Sequence, residues 1–201
     1  MAIVVRNLNV RGKVVVGPPV VIPSGPATQG PNNPGAAIDL GNGDEFWVDV
    51  NNILTSNNQY TTCSAASPGN SMSYLLVYNF GFNIPTLATI DGIEVKIEAK
   101  DSIGGSGFNY VELWKGSSFS TGTSYGLIPA NIVLTTSDVI YTVGGPTDKW
   151  PGFTSDWNTQ TMTADIINQT DGIEFGVLLG GDSFAGTISI DNITMKVYYT
   201  I

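Results

Sequence analysis

The sequence predicts an all-β protein, a jelly-roll-like antiparallel β-sandwich preceded by an extended N-terminal arm. Short runs of β-branched and aromatic residues recur along the chain and are separated by Gly, Pro, Asn and Asp. In the clearest runs apolar and polar residues alternate, which is typical of strands with one buried face. No stretch shows a convincing amphipathic helix. Roughly eight to ten short strands of this kind form two facing sheets that bury each other's apolar faces.

Residues 1–35 predict a basic arm rich in proline and glycine. Six prolines and four glycines lie between Gly17 and Gly35. This composition argues against helix or ladder pairing and favours an extended connector. We therefore place the domain boundary near residue 36, with the arm at residues 1–35 and the sandwich at residues 36–201.

Charge is divided unevenly between the arm and the body. Residues 1–38 carry +3, whereas residues 39–201 hold five bases and 17 acids, a balance of −12. Such an arm can dock on the acidic body of a neighbour or fold on its own body. The residues predicted to take part in assembly through the arm are Ile3, Val4, Val5, Arg6, Arg11, Lys13, Val14, Val15 and Val16.

The body divides into predicted strands at its turn residues. In order, the strands are predicted at residues 45–50, 74–80, 93–99, 109–115, 132–134, 139–143, 173–179 and 187–199. Residues 51–70 predict a polar loop, and residues 162–167 a strand or a single helical turn. Glycines at 180, 181 and 186 are predicted to frame the last hairpin.

Two strands have the most informative patterns. Ile93, Val95, Ile97 and Ala99 alternate with charged residues, so one face should be buried and the other should meet water. In the last strand the apolar positions change parity near residues 191–192. That slip predicts a β-bulge or a bend.

Composition argues against most catalytic chemistry. His is absent and Cys occurs once, as Cys63, so most metal-ligand sets and most nucleophile and base pairs are excluded, and we expect no cofactor and no enzymatic activity. Cys63 is expected to be a small buried apolar residue. Glu94 and Glu98 alternate with lysines, which favours an ordinary solvated strand over an acid and base pair. No run approaches the ~20 apolar residues of a membrane span.

Two further groups of polar and aromatic residues are candidate sites. Asp39, Asn42, Asp44 and Asp49 are the densest oxygen-ligand cluster, but their spacing does not match an EF-hand loop and favours turn formation. A glycan-binding module would need exposed aromatic rings on loops rich in Gly and Ser. The candidates for such rings are Trp114, Tyr125, Trp150 and Trp157, although Trp150 and Trp157 are better explained as plugs of the open ends of the sandwich.

A set of motifs resembles a known family. The motifs are at residues 73–85 (SYLLVYNFGFNIP), 88–98 (ATIDGIEVKIE), 141–150 (YTVGGPTDKW), 157–166 and 190–200 (IDNITMKVYYT). In order and approximate spacing they are similar to a β-sandwich domain that recurs in structural proteins of tailed bacteriophages. The resemblance covers residues 73–200. It implies a jelly-roll-like sandwich in a virion, and it carries no catalytic residues.

The expected function follows from this resemblance together with the short chain and its arm. We expect a capsid decoration, or cement, protein that lies on the capsid surface and stabilises the shell through protein–protein contacts. Its expected partners are the major capsid protein and copies of itself, as a dimer or a higher homo-oligomer, with no nucleic acid and no membrane. The alternative is a tail- or fibre-associated module that binds a receptor or a carbohydrate such as a host glycan.

Overall fold

The computed structural model describes residues 25–116, 123–128, 132–148, 150, 162–169 and 174–201. In chain order the elements are β1 (Pro26–Asn32), β2 (Ala36–Asp39), a 3-10 helix (Val50–Leu54), β3 (Thr61–Ser64), β4 (Asn70–Tyr78), β5 (Thr89–Asp101), β6 (Gly107–Phe108), β7 (Tyr110–Gly116), β8 (Thr123–Ile128), β9 (Ile132–Val133), β10 (Val139–Gly144), α1 (Ala164–Ile167), β11 (Glu174–Phe184) and β12 (Thr187–Thr200).

The strands form two five-stranded antiparallel sheets. Sheet A has the order β1-β12-β5-β10, and β3 also pairs with β12. Sheet B has the order β2-β4-β11-β7-β8, and β6 pairs with β9 in a small ribbon. The two sheets pack face to face over one large apolar core. The predicted fold class is confirmed as an all-β antiparallel two-sheet sandwich.

The long strands β5 and β12 form the centre of sheet A and follow the predicted patterns. Ile93, Val95, Ile97 and Ala99 are all buried in the core, whereas the charged residues between them are partly exposed. Burial of each of the larger side chains, Ile93, Val95 and Ile97, stabilises the fold by about 1.5–3 kcal/mol. The register of β12 against β5 shifts between Ile190 and Asn192, so the predicted bulge at residues 191–192 is confirmed. Residues 162–167 contain the single helical turn α1.

The expectation that the proline-rich segment forms no ladder was wrong for residues 26–32. These residues form β1, which pairs antiparallel with β12. Proline is compatible with this place because β1 is an edge strand, where a missing N–H on the outer side costs no ladder bond. The described sheet therefore begins before residue 36. Residues 1–24, with all the predicted assembly residues of the arm, lie outside the described residues, and the separate arm stays a prediction.

Three smaller predictions along the body were also wrong. Residues 45–50 form no strand; Glu45 and Val48 make isolated bridges, and Asp49 has a left-handed backbone that ends any extended run. The predicted loop at residues 51–70 contains the 3-10 helix and β3. Gly180 and Gly181 lie inside β11, so the last hairpin turns at residues 185–186.

The lone cysteine has the buried environment that the sequence predicts. Cys63 lies on β3 and is fully buried in the core. Burial, together with the nearby carboxylates of Asp39 and Glu45, raises the pKa of the thiol to about 12. A thiol in this state is a poor nucleophile near neutral pH.

Among the described residues, no helix is long and apolar enough to cross a membrane.

Candidate binding face

The outer face of sheet A is polar, as expected for a sheet that meets water on one side. On β5 it carries Glu94, Lys96, Glu98 and Lys100, each of which alternates with a core residue. Lys96 Nζ lies 3.5 Å from a Glu94 carboxylate oxygen, and the Tyr198 hydroxyl donates to Glu94 at 3.2 Å.

The carboxylate of Glu98 is engaged in the same kind of surface contact. It accepts a 2.9 Å hydrogen bond from the Ser56 hydroxyl. Glu94 and Glu98 therefore sit in a solvated surface network, which is the interpretation that the sequence favoured for them.

The outer face of sheet B has the opposite character. Strands β2, β4, β7 and β11 point apolar and aromatic side chains away from the core, into a second cluster on that side of the sheet. We call this surface the aromatic face. Its members are Ile38, Leu40, Tyr74, Leu76, Tyr78, Tyr110, Glu112, Trp114 and Leu178, together with Gly176 and Gly180.

The register of the strands explains how these residues meet. Leu76 on β4 pairs with Leu178 on β11, and Leu178 pairs with Glu112 on β7. On β11 the next outward position toward each end is a glycine, and Gly176 pairs with both Tyr78 and Trp114. Because side chains alternate along a strand, residues two apart share one face. The tyrosines, the tryptophan and the leucines therefore form one continuous layer on this side of the sheet.

The aromatic face has a buried floor and a partly exposed rim. Leu76, Trp114 and Leu178 are buried, with Trp114 only 3% exposed. Tyr74 and Tyr78 are partly buried and pack against this floor, as do Ile38 and Leu40. The solvent-accessible part of the aromatic face is therefore its rim of tyrosines, because the leucines and the tryptophan of the floor are covered.

The rim also contains an edge-to-face pair of tyrosines. The rings of Tyr74 and Tyr110 have centroids 6.1 Å apart and an interplanar angle of 88°. This geometry suits the ring quadrupoles and holds both rings at fixed angles.

A glycine in β11 makes room for one of these rings. A Cβ built on Gly180 would lie 2.3 Å from two ring atoms of Tyr74 and 3.5 Å from Tyr110. Tyr74 therefore lies directly over the backbone of β11. Any larger residue at 180 would push the Tyr74 ring away, so the glycine shapes the surface.

The structure separates the four predicted glycan-binding aromatics. Trp114 lies within β7 rather than on a loop and forms part of the floor of the aromatic face. Trp150 is 3% exposed within the core, and its Nε1 donates to the Ile93 carbonyl at 2.8 Å. A ring in that position has no face open to a sugar and matches the plug that the sequence favoured. The side chain of Tyr125 and all of Trp157 lie outside the described residues.

The predicted oxygen-ligand cluster is a network that shapes a loop. One Asp39 oxygen accepts hydrogen bonds from the Gly41 backbone and the Ser73 hydroxyl, and the other accepts one from the Trp47 backbone at 2.7 Å. Asp44 accepts from the backbone and hydroxyl of Ser71, and these bonds lower its pKa. The carboxylates thus serve turn formation, and among the described residues no group of three or more Asp, Glu and Cys side chains is arranged to hold a metal.

The predictions from the sequence missed the three tyrosines of the face, although a signal for two of them was present. In residues 74–78 (YLLVY) every position is apolar or aromatic, with no alternation. A strand of this kind is covered on both faces or carries a binding surface on one of them. The sequence alone does not distinguish these cases, because the answer depends on what lies against the outer side.

Comparison with known proteins identifies no family, since no family model and no curated protein matches the chain. One similar solved structure is described as "CBM4 structure and function", with a TM-score of 0.37 and 12% identity, covering 70% of this chain and 72% of that one. The "xylan-binding module CBM15" has a TM-score of 0.38 and 13% identity, covering 87% and 97%. A family 29 carbohydrate-binding module from Piromyces equi has a TM-score of 0.35 and 9% identity, covering 86% and 90%. These TM-scores are low, and neither family nor ligand is inferred from them; no match supports the tailed-phage family that residues 73–200 resemble.

Proposed function

We propose that this protein is a non-catalytic carbohydrate-binding module whose ligand lies along the aromatic face. The observation that carries the proposal is the contrast between the two outer surfaces of one sandwich. Sheet A presents alternating charges to water, whereas the outward positions of sheet B hold partly exposed tyrosines around buried leucines and a buried tryptophan. Partly exposed aromatic rings over an apolar floor are typical of the lining of a binding site.

The chemistry of the face suits a pyranose ring. The C–H groups of a sugar form apolar patches that stack on aromatic rings, while its hydroxyls need hydrogen-bond partners. Tyr74, Tyr78 and Tyr110 each combine an aromatic ring with a phenolic hydroxyl, the two chemical features that these contacts use. Glu112 lies beside Leu178 in the middle of the face and supplies carboxylate oxygens as acceptors for sugar hydroxyls.

The net charge of the chain favours neutral over anionic carbohydrates as ligands. The chain has a net charge of −9, which opposes the approach of polyanionic glycans such as those rich in uronic acids or sulfates. The contacts that the aromatic face offers to stacking rings are uncharged. We therefore propose a neutral polysaccharide or oligosaccharide as the ligand.

The test is binding of the purified chain to a panel of neutral and acidic polysaccharides by affinity electrophoresis, followed by calorimetry on the best ligand. Tyr74→Ala and Tyr110→Ala should each weaken binding by about 1–2 kcal/mol, roughly five- to thirtyfold, because each removes a stacking ring. Tyr198→Ala is the matched control, since Tyr198 is a partly exposed tyrosine on the outer face of sheet A. Equal losses for all three variants, or no binding to any glycan, would contradict the proposal.

Assembly into a virion, which the sequence led us to expect, remains a second proposal. The observation that favours a protein–protein role is the open edge of β10, because an edge strand can pair with a strand of another chain. Capsid location, binding to the major capsid protein and the role of the arm stay predictions. Co-sedimentation of the chain with capsids that lack it, at a saturating copy number near that of the capsid subunits, is the test of that role.

A further inference from the structure

The edges of the two sheets differ in how well they are protected against pairing with another strand. At one edge of sheet A, β1 contains Pro26 and Pro31 and has a register shift, and β3, which also pairs with β12, is four residues long. In sheet B, β2 is four residues long and β8 has a register shift against β7. Prolines, bulges and short length are the devices that prevent edge-to-edge pairing.

Strand β10, at the other edge of sheet A, has none of these devices. It is six residues long, with the sequence VIYTVG, and it pairs with β5 without a register shift. It contains no proline and no charged residue. The side chain of Ile140 lies on the outer face of sheet A and is 60% exposed, and Val139 is also exposed. A straight, uncharged, β-branched edge of this kind is a template for another strand.

The hydrogen-bond pattern shows which backbone groups of β10 point outward. The Gly145 N–H donates to the Ile93 carbonyl at 3.0 Å, which sets the phase of the ladder. Bonds alternate along an antiparallel pair, so Val139, Tyr141 and Val143 direct their backbone groups toward β5. The N–H and C=O groups of Ile140 and Thr142 therefore point away from the sheet. In the described part of the chain, these groups have no backbone hydrogen bond outside that ladder.

We propose that β10 is a dimerisation edge, at which two copies of this chain pair antiparallel to form one continuous sheet across both sheets A. A second copy is the partner because the edge is self-complementary under a two-fold axis. With the axis at Tyr141, Ile140 of one copy pairs with Thr142 of the other, and their outward N–H and C=O groups satisfy one another. On the outer face this places two β-branched side chains side by side, a favourable cross-strand pair.

The charge distribution permits this contact between two acidic chains. Each copy carries −9, so the copies repel one another at long range. The uncharged edge leaves no unpaired charge to be buried. Just before it, one oxygen of Asp138 accepts from the Tyr60 hydroxyl at 2.6 Å and lies 4.0 Å from Lys100 Nζ, whereas its other oxygen is buried without a hydrogen-bond partner among the described residues.

The dimer would orient the two aromatic faces in a defined way. A two-fold axis that joins antiparallel edge strands into one sheet is perpendicular to that sheet, so both sheets B lie on the same side of it. The two aromatic faces then point in the same direction, and two sites can engage one polymer or one surface together. This consequence rests on the proposed glycan-binding function; the dimer itself does not.

The first test is sedimentation equilibrium of the wild-type chain against two edge variants. Ile140→Lys adds a charge to the edge, and Thr142→Pro removes an outward N–H without removing a bond to β5. Each should raise the dimer dissociation constant by at least about tenfold. Leu87→Lys is the matched control, because Leu87 is 90% exposed in a turn, and it should dimerise like the wild type. A wild-type chain that stays monomeric at all concentrations, or edge variants that dimerise normally, would overturn the proposal.

The second test reads the register and does not depend on weakened variants. Ile140→Cys and Thr142→Cys, prepared separately and then mixed under mild oxidation, should form a disulfide-linked heterodimer, because residue 140 of one copy faces residue 142 of the other. Neither variant alone should cross-link to a comparable extent. Cys63 is fully buried and does not interfere. The proposed pairing is wrong if the mixture gives no more cross-linked product than the separate variants. Loss of glycan binding in the aromatic-face variants with an intact dimer would separate the two proposals.

Discussion

At the scale of single residues, the aromatic face depends on the absence of a side chain at Gly180. Its backbone lies so close to Tyr74 that even a methyl group would overlap the ring. The same strand carries fully buried valine and leucine toward the core at Val177 and Leu179. Strand β11 thus places Val177 and Leu179 in the core, while Gly180 on its outer side leaves space for the ring of Tyr74.

We predict that Gly180→Ala weakens glycan binding and lowers the free energy of unfolding by about 1–3 kcal/mol, because the new methyl group displaces the Tyr74 ring. Calorimetry and chemical denaturation measure the two effects. Gly145→Ala is the control, since a Cβ there meets nothing within 4 Å. Normal binding by the Gly180 variant would show that the position of the Tyr74 ring does not matter to the ligand.

A second residue-scale prediction concerns Cys63 and alkaline pH. Its pKa is raised from 9.0 to about 12, mainly by burial, so the folded chain keeps a proton that the unfolded chain loses. The stability linked to this group is therefore fully present below about pH 9 and is lost as the pH rises toward 12. In denaturation curves between these pH values, Cys63→Ala should lose less stability with pH than the wild type. Parallel curves for the two proteins would contradict the assignment.

At the scale of elements, the loop that follows β10 is anchored by one tryptophan. The Trp150 Nε1 donates to the Ile93 carbonyl, and Gly144, with φ of +75°, lets the ring lie close to the end of β10. A Cβ at Gly144 would lie 2.6 Å from that nitrogen. A single buried ring thereby contacts both the end of β10 and Ile93 of β5.

We predict that Trp150→Ala lowers the free energy of unfolding by about 3–5 kcal/mol, the usual cost of truncating a large buried aromatic residue. Wherever the variant remains folded, its affinity for glycan should match that of the wild type, because Trp150 lies in the core and not on the aromatic face. Thermal unfolding and calorimetry test both statements. A stable variant that has lost glycan binding would restore Trp150 as a ligand contact.

At the scale of the whole molecule, charged and apolar groups lie on different surfaces. The outer face of sheet A and the net charge of −9 provide hydration and keep copies apart at long range. We propose contact roles for the aromatic face of sheet B and for the uncharged edge of β10. The two surfaces lie on different sheets, so the proposed ligand binding and the proposed pairing can be altered separately.

Salt dependence distinguishes a contact of this kind from an electrostatic one. We predict that raising NaCl from about 50 to 500 mM changes the affinity for a neutral glycan by less than about twofold, because screening acts on charge pairs and not on stacking. Binding to a polyanionic glycan should rise over the same range as repulsion is screened. A steep loss of neutral-glycan binding with salt would indicate that charged groups carry the contact.

Residue patterns predicted more of the fold than of the site. The alternation at Ile93, Val95 and Ile97 and the change of parity at Asp191 follow from the two-residue period of a strand, which is a local property. The sequence predicts assembly residues on the arm, which lie outside the described residues, and alternative glycan-facing aromatics on loops, yet Trp114 lies in a strand and Trp150 lies in the core. Tyr74, Tyr78 and Tyr110 were passed over because each lies within a strand that also supplies core residues.

The sequence by itself determined that the chain is an all-β sandwich with an acidic body, a buried thiol and a bulge in its last strand, because strand period, turn residues and charge are readable without knowing any neighbour. Only the tertiary structure decided that β1 pairs with β12 in spite of its prolines, and that β4, β7 and β11 lie side by side. Tyr74 and Tyr110 meet through that order alone, since the strands that carry them are joined across the sheet by β11. A surface built from three strands depends on contacts between residues far apart in the chain, and periodicity along one strand does not encode them.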